Sequence, residues 1–184
     1  MTFRIVQNGD PVLRKKAAEV PLSDIGSAKV KKALKDMRAA FETQDDGVAL
    51  AAPQIGYSLR VFIVSKAALK LPTELGRRRE ANTDELKKAA GYLVFINPVI
   101  TKLSRDRAML DEGCLSVRPL YGKVKRAKKA ILKAYDERGK SFTRGASGLL
   151  AQIFQHECDH LEGVLFIDKA TDVRELPAPE SNSN

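Results

Sequence analysis

His156-Glu157-Cys158-Asp159-His160 contains both histidines of this 184-residue chain, four positions apart. On a helix, side chains at that spacing stack on one face, so both imidazoles can reach one metal ion. Glu157 projects about 100° round from His156. Its carboxylate then lies beside the ion rather than on it, where it can take a proton from water. The helix itself reads as buried. Ser147 stands at its start, and Leu149, Leu150, Ile153, Phe154, Cys158 and Leu161 put apolar surface all round it.

Two histidines do not complete a catalytic metal site, which wants a third protein ligand and an open position. The carboxylates Glu162, Asp168 and Glu175 follow downstream, and an all-carboxylate completion is one reading. Cys114 is the stronger candidate. It sits in Glu112-Gly113-Cys114-Leu115-Ser116, where a glycine allows close backbone approach just before a thiol. Cys158 lies about 200° round the helix from His156 and is expected to face away from the metal.

The rest of the chain places these motifs. The 43% hydrophobic content suits one globular domain. No apolar run approaches a membrane span of about 18 residues. The start of the chain carries no secretory pattern, and a cytoplasmic location with free thiols is expected. The net charge is +9, with Lys123, Lys125, Arg126, Lys128, Lys129 and Lys133 close together and a second cluster at Arg77-Arg78-Arg79. Such a surface attracts nucleic acid or a ribosome, but no aromatics interleave to stack bases.

Ser23 to Phe41 predicts an amphipathic helix, capped by Ser23 or Asp24. Val48 to Ala52 predicts an extended segment, because Pro53 disfavours a helical neighbour. Arg60 to Ser65, Tyr92 to Ile100 and Gly122 to Tyr135 predict strands. Asp136 to Lys140 predicts a hairpin turn leading into Ser141-Phe142-Thr143. Residues 66–91 read as a surface insertion with a short helix near Asp84 to Ala90. A single catalytic domain over 1–170 and a polar tail over 171–184 complete the expected organisation.

With these motifs in order, the sequence resembles the peptide deformylase family from about Ile5 to Asp168. Gly47-Val48-Ala49-Leu50-Ala51-Ala52-Pro53-Gln54 is similar to its glycine-x-glycine-leucine-alanine-alanine-x-glutamine motif. Glu112 to Ser116 matches its glutamate-glycine-cysteine-leucine-serine motif, and Gln155 to His160 its glutamine-histidine-glutamate-x-aspartate-histidine motif. The fold expected is α+β, with antiparallel sheets packed around a buried C-terminal helix that carries His156 and His160.

The resemblance implies a role for each matched residue. Cys114, His156 and His160 hold one divalent metal ion, ferrous iron in the family's usual form, with zinc, nickel or cobalt as replacements. Glu157 takes the proton of the attacking water and delivers one to the departing amine. The Gln54 amide and the Leu115 backbone N–H stabilise the oxyanion. The activity implied is removal of the N-formyl group from the initiator methionine of nascent peptides, releasing formate. The methionine enters an apolar pocket of Val48, Leu110, Leu149 and Ile153, and the peptide pairs like a strand with Val48 and Gly113. Four departures stand out. Ala49 replaces the motif's second glycine, Arg118-Pro119 follows the cysteine motif, and Tyr121 stands where many members carry a basic residue. The polar tail departs from the basic C-terminal helix that docks some members on the ribosome.

Glu112 needs a cation, since its carboxylate stands two residues from the Cys114 thiolate. Arg126, the basic position matched to the family, is expected to pair with it and fix the cysteine loop. Asp159 is expected to give structural or second-layer support. Two other classes share parts of this pattern. A zincin-like metallopeptidase needs only the HExxH spacing. A catalytically silent relative, binding nascent chains or the ribosome through the basic surface, needs only the fold. The expected partners are N-formylmethionyl peptides and the ribosome, with no membrane, and the expected state is a monomer.

Overall fold

The computed structural model describes residues 4–44, 46–67 and 91–175. Among the described residues, eight strands form two antiparallel sheets. Ala49–Ala51 (β1), Val61–Ser65 (β2), Tyr92–Leu103 (β3), Lys129–Tyr135 (β6) and Ser141–Ser147 (β7) make a five-stranded sheet in the order β1-β2-β3-β6-β7. Arg107–Gly113 (β4), Leu120–Ala127 (β5) and Thr171–Glu175 (β8) make a three-stranded sheet in the order β4-β5-β8. The α-helices among the described residues are Ala28–Glu42 (α1) and Gly148–Leu161 (α2).

The five-stranded sheet is covered on both faces. Val61 and Ile63 of β2 join Val30, Leu34, Met37 and Phe41 of α1 in one apolar cluster. Phe62 and Val64, pointing the other way, join Ala151, Ile153, Phe154 and Leu161 of α2. A strand buried on both faces loses polar alternation, which is why Val61-Phe62-Ile63-Val64 is continuously apolar. Phe62, Phe95 and Phe154 meet with ring centroids 4.6 to 6.3 Å apart. Aromatic contacts of this kind fix the rotation of α2, and hence the direction of its histidines. A third cluster of Leu13, Val117, Val124, Leu165 and Phe166 underlies the smaller sheet.

Several elements differ from the sequence expectation. The first helix starts five residues later than expected, at Ala28, and Ser27 caps it by accepting the Val30 N–H at 3.3 Å. Ser23 and Asp24, the expected caps, belong to a separate single turn, Leu22–Asp24. The expected strand Gly122 to Tyr135 is two strands in two sheets. The chain passes between them at Lys128, whose N–H donates to Asp106 O at 3.0 Å. Arg107–Gly113 is a strand that the sequence reading passed over. Ser147 precedes α2 but makes no side-chain cap bond.

The limit expected at residue 170 moves outward, because Thr171–Glu175 pairs with β5, Leu120 opposite Glu175 and Lys123 opposite Thr171. The short helix expected near Asp84 to Ala90 and the tail beyond Glu175 lie outside the described residues. The ends of the expected insertion meet, Lys66 N–H donating to Gly91 O at 3.0 Å.

Candidate active site

Two elements deliver the three candidate ligands. Helix α2 presents His156 and His160 one turn apart, with ring centroids 4.9 Å from each other. The turn leaving β4 presents Cys114. The sulfur and two ring nitrogens all lie within 4.8 Å of one another. Cys114 Sγ is 3.2 Å from His160 Nε2. His156 Nδ1 is 3.0 Å from Glu112 Oε2, which leaves Nε2 as the ring nitrogen available to a metal.

The thiol and the imidazoles of this cluster shift one another's protonation. Burial opposes ionisation of Cys114, but the His160 charge and the hydrogen bonds to both histidines outweigh it and pull the thiol down to about 5. His156 is held well above its ordinary value. Burial works against its charge, while Cys114 and Glu112 favour it. A thiolate between two imidazoles thus attracts either protons or a divalent ion. One thiolate and two imidazoles suit zinc or ferrous iron better than magnesium or calcium. Two buried atoms, Glu157 Oε2 and His160 Nδ1, have no hydrogen-bond partner among the described residues. An unpartnered carboxylate oxygen beside converging ligands fits a site that takes up an ion and water.

Glu157 is 4% exposed. Burial pushes its carboxyl up to about 7, the positive histidines oppose this, and the Cys114 and Glu112 charges add to it. A carboxylate poised near neutrality is suited to accept and return a proton.

A layer of ion pairs holds the ligands. Arg126 Nε donates to Glu112 Oε1 at 2.7 Å and Nη2 donates to Oε2 at 2.9 Å. The third arm, Nη1, donates to Asp159 Oδ2 at 2.6 Å, and Lys169 Nζ reaches Asp159 Oδ1 at 2.7 Å. Arg126 therefore ties the strand before Cys114 to the helix between the two histidines. Burial works against the Glu112 charge, but Arg126 and His156 hold its carboxyl at about 2. Gln152, one turn before His156, donates from Nε2 to Asp111 O at 2.9 Å.

Gln54 is 2% exposed and faces both ways. Its Oε1 accepts the Ala51 N–H at 2.8 Å, holding its own turn, while Nε2 lies 3.4 Å from Cys114 Sγ and 3.2 Å from Ser116 Oγ. Leu115 is half-buried in the turn after Cys114. Val48 and Leu149, half-buried, and buried Ile153 share one apolar cluster. Leu110 is buried on β4, two residues before Glu112, and is not part of that cluster. Gly113 has no room for a side chain, since a Cβ there would stand 2.4 Å from the Tyr121 ring. Ala49 lies in β1 and is not among the residues with positive φ, so its methyl costs the motif nothing in backbone strain. Arg118 pairs with Asp46, joining the segments after the cysteine motif and before the glycine motif.

The carboxylate alternatives lie elsewhere. Glu162 pairs with Arg60 at 2.6 Å and Lys16 at 3.4 Å, Asp168 with Arg14 at 2.5 Å, and Glu175 is exposed on β8. Cys158 packs against the core between α2 and the larger sheet, where burial pushes its thiol up to about 12.

The sequence reading gave no role to two buried polar residues, Ser116 and Gln155. Gln155 accepts the Ala127 N–H at 2.9 Å and donates to Ala127 O at 2.9 Å, sewing α2 to the end of β5. The available signal was a glutamine inside the apolar stretch of the helix.

The model of the polypeptide deformylase family matches residues 2–175. Peptide deformylase 1A, chloroplastic/mitochondrial, of Arabidopsis thaliana is 39% identical over 165 residues, 90% of this chain and 60% of that protein. The tomato relative is covered to a similar extent, 58%, so the chain spans about three fifths of these plant proteins. The peptide deformylase of Pelotomaculum thermopropionicum is 38% identical over 178 residues, 97% of each chain. Among solved structures, the Met-Ala-Ser-bound class I type b peptide deformylase of Acinetobacter baumannii superposes with a TM-score of 0.74 at 29% identity, covering 92% of this chain and 98% of that one. With the family model matched over nearly the whole chain, and with its motifs meeting at the cluster of Cys114, His156 and His160, this chain belongs to the polypeptide deformylase family.

Proposed function

We propose that this protein is a metal-dependent peptide deformylase that removes the formyl group from N-formylmethionyl peptides and releases formate. The observation that carries this reading is the convergence of Cys114, His156 and His160 beside a buried Glu157 whose Oε2 has no partner among the described residues.

Cys114, His156 and His160 would hold the ion, ferrous iron as the native metal, with zinc, nickel or cobalt able to take its place. When bound, a divalent ion supplies Lewis acidity, polarising the formyl carbonyl and easing the ionisation of water. The protein's own groups do the rest. Glu157 accepts the proton of the water that attacks the formyl carbon and returns a proton to the amine as the C–N bond breaks. Gln54 Nε2 and the Leu115 N–H donate to the oxygen that becomes negative. The Glu112–Arg126 pair keeps the cysteine turn and His156 in register.

Both sheets present an edge to this site. β1, which follows Val48, ends the five-stranded sheet, and β4, which ends at Gly113, ends the three-stranded one. An extended peptide can pair with such an edge, its methionine directed to Val48, Leu110, Leu149 and Ile153. The Acinetobacter baumannii relative was solved with Met-Ala-Ser bound. No helix among the described residues is long and apolar enough to cross a membrane. The same reading has a monomer acting in the cytoplasm, with its basic surface, including exposed Lys123 and Lys125, in salt-sensitive contact with the ribosome.

Purified protein given formyl-Met-Ala-Ser is expected to release formate in proportion to bound metal, and to leave unformylated peptides intact. Internal cleavage of unblocked peptides would instead establish a metallopeptidase. Metal-replete protein that releases no formate and cleaves nothing would establish a silent relative.

A further inference from the structure

We infer that Ser116 is a positioning residue that aims the Gln54 amide at the reacting carbonyl. Its catalytic consequence rests on the deformylase reading. Ser116 is fully buried. Its Oγ lies 3.2 Å from Gln54 Nε2. Its backbone is held separately, the N–H 3.4 Å from Cys114 Sγ and the carbonyl accepting the Asn8 N–H at 2.7 Å. The hydroxyl is therefore not needed to keep Ser116 in place.

Gln54 sits in the turn Ala52–Ile55, and its Oε1 accepts the Ala51 N–H at 2.8 Å. A backbone N–H can only face an oxygen, so this bond decides which end of the amide is nitrogen. One attachment still leaves the amide able to turn about its last torsion, which has a broad energy profile. Ser116 Oγ is the second attachment. The amide nitrogen has two hydrogens. One is taken by Ser116 Oγ, and the other faces the Cys114 side, where Sγ lies 3.4 Å away. That second hydrogen is the one a developing oxyanion can claim. Fixing the first fixes the direction of the second, and such donors are effective because they need no reorganisation during the reaction.

Ser116→Ala removes the hydroxyl with little change of volume. The expected result is a kcat about tenfold lower, the size of one well-placed hydrogen bond, with KM and metal content unchanged. In a Gln54→Ala background the same substitution should cost nothing further, because its target is already absent. A second readout needs no turnover. In zinc-loaded, 15N-labelled protein, the Gln54 side-chain amide should give dispersed proton signals that move towards free-glutamine positions in Ser116→Ala. Full activity of Ser116→Ala, an undiminished loss in the Gln54→Ala background, or unmoved amide signals would each overturn the inference. Wild-type protein that releases no formate would sink the deformylase reading, and the amide signals would still decide how Ser116 holds Gln54.

Discussion

The Arg126 guanidinium binds both oxygens of the Glu112 carboxylate, Nε to Oε1 at 2.7 Å and Nη2 to Oε2 at 2.9 Å. Both side chains are almost fully enclosed, 4% and 2% exposed. Desolvation of two charges is costly, and the double hydrogen bond offsets it only while both partners remain. Arg126→Ala would leave the buried Glu112 carboxylate without its cation, while half-buried Asp159 would keep only Lys169. The expected cost is roughly 3–5 kcal/mol, which for a domain of this size lowers Tm by about 10 °C. Formate release should fall as well, because Glu112 also orients His156. A thermal melt with Tm unchanged would show that the pair contributes nothing net.

Glu157→Gln keeps the shape of the side chain and removes its basicity. Because Glu157 is not a ligand in this reading, metal content should stay at the wild-type level while turnover falls by roughly 10²–10⁴. Elemental analysis beside formate release separates the two effects. Near-normal turnover would remove Glu157 from the mechanism.

The two cysteines should behave oppositely. Cys114→Ser replaces a thiolate donor, and bound metal should drop steeply. Cys158→Ala alters only the core packing of α2. It should leave metal content unchanged and cost about 1 kcal/mol in a denaturant melt, the scale for a small buried truncation. Metal lost from Cys158→Ala would mean that the wrong sulfur has been chosen.

The legible parts of this structure are those where pattern and packing agree. The α2 ligands were readable because four-residue spacing on a buried helix has one geometric outcome. β2 and the Leu93 to Ile96 stretch of β3 were readable because strand segments buried on both faces are continuously apolar. β4 was not, because its inward positions alternate Leu110 with Glu112, and a buried carboxylate looks like a surface residue until its arginine is seen. The break at Lys128 was hidden for a related reason. The chain changes sheets there without glycine or proline, held by a backbone bond to Asp106 that no local pattern announces. The start of α1 went wrong because Ser23 and Ser27 are both credible caps, and only tertiary packing chooses between them. Ser116 and Gln155 were passed over because their hydrogen bonds reach Gln54 and Ala127, both far away in sequence.

The covering helix α1 carries its own buried charge, and this gives a pH dependence away from the metal. Asp36 is 5% exposed. Its Oδ2 accepts from Tyr57 Oη at 2.5 Å and from Lys32 Nζ at 2.5 Å, joining α1 to the turn after Gln54. Burial alone would raise the Asp36 carboxyl. The hydrogen bonds from Lys32 and Tyr57, with the charges of Lys32 and Lys35, outweigh it and lower the pKa below the ordinary value of 3.8. A depressed carboxylate pKa means that the unfolded chain binds the proton more tightly than the folded one. The stability contributed by Asp36 is therefore fully present above about pH 4 and is lost as the pH falls through the lower, folded value. Asp36→Asn should destabilise the protein at neutral pH, and the gap from wild type should narrow in acid. Denaturant melts of both proteins from pH 7 down to about pH 3 measure that gap directly. A gap that stays constant, or widens as the pH falls, would show that the charge of Asp36 does not hold α1 to this turn.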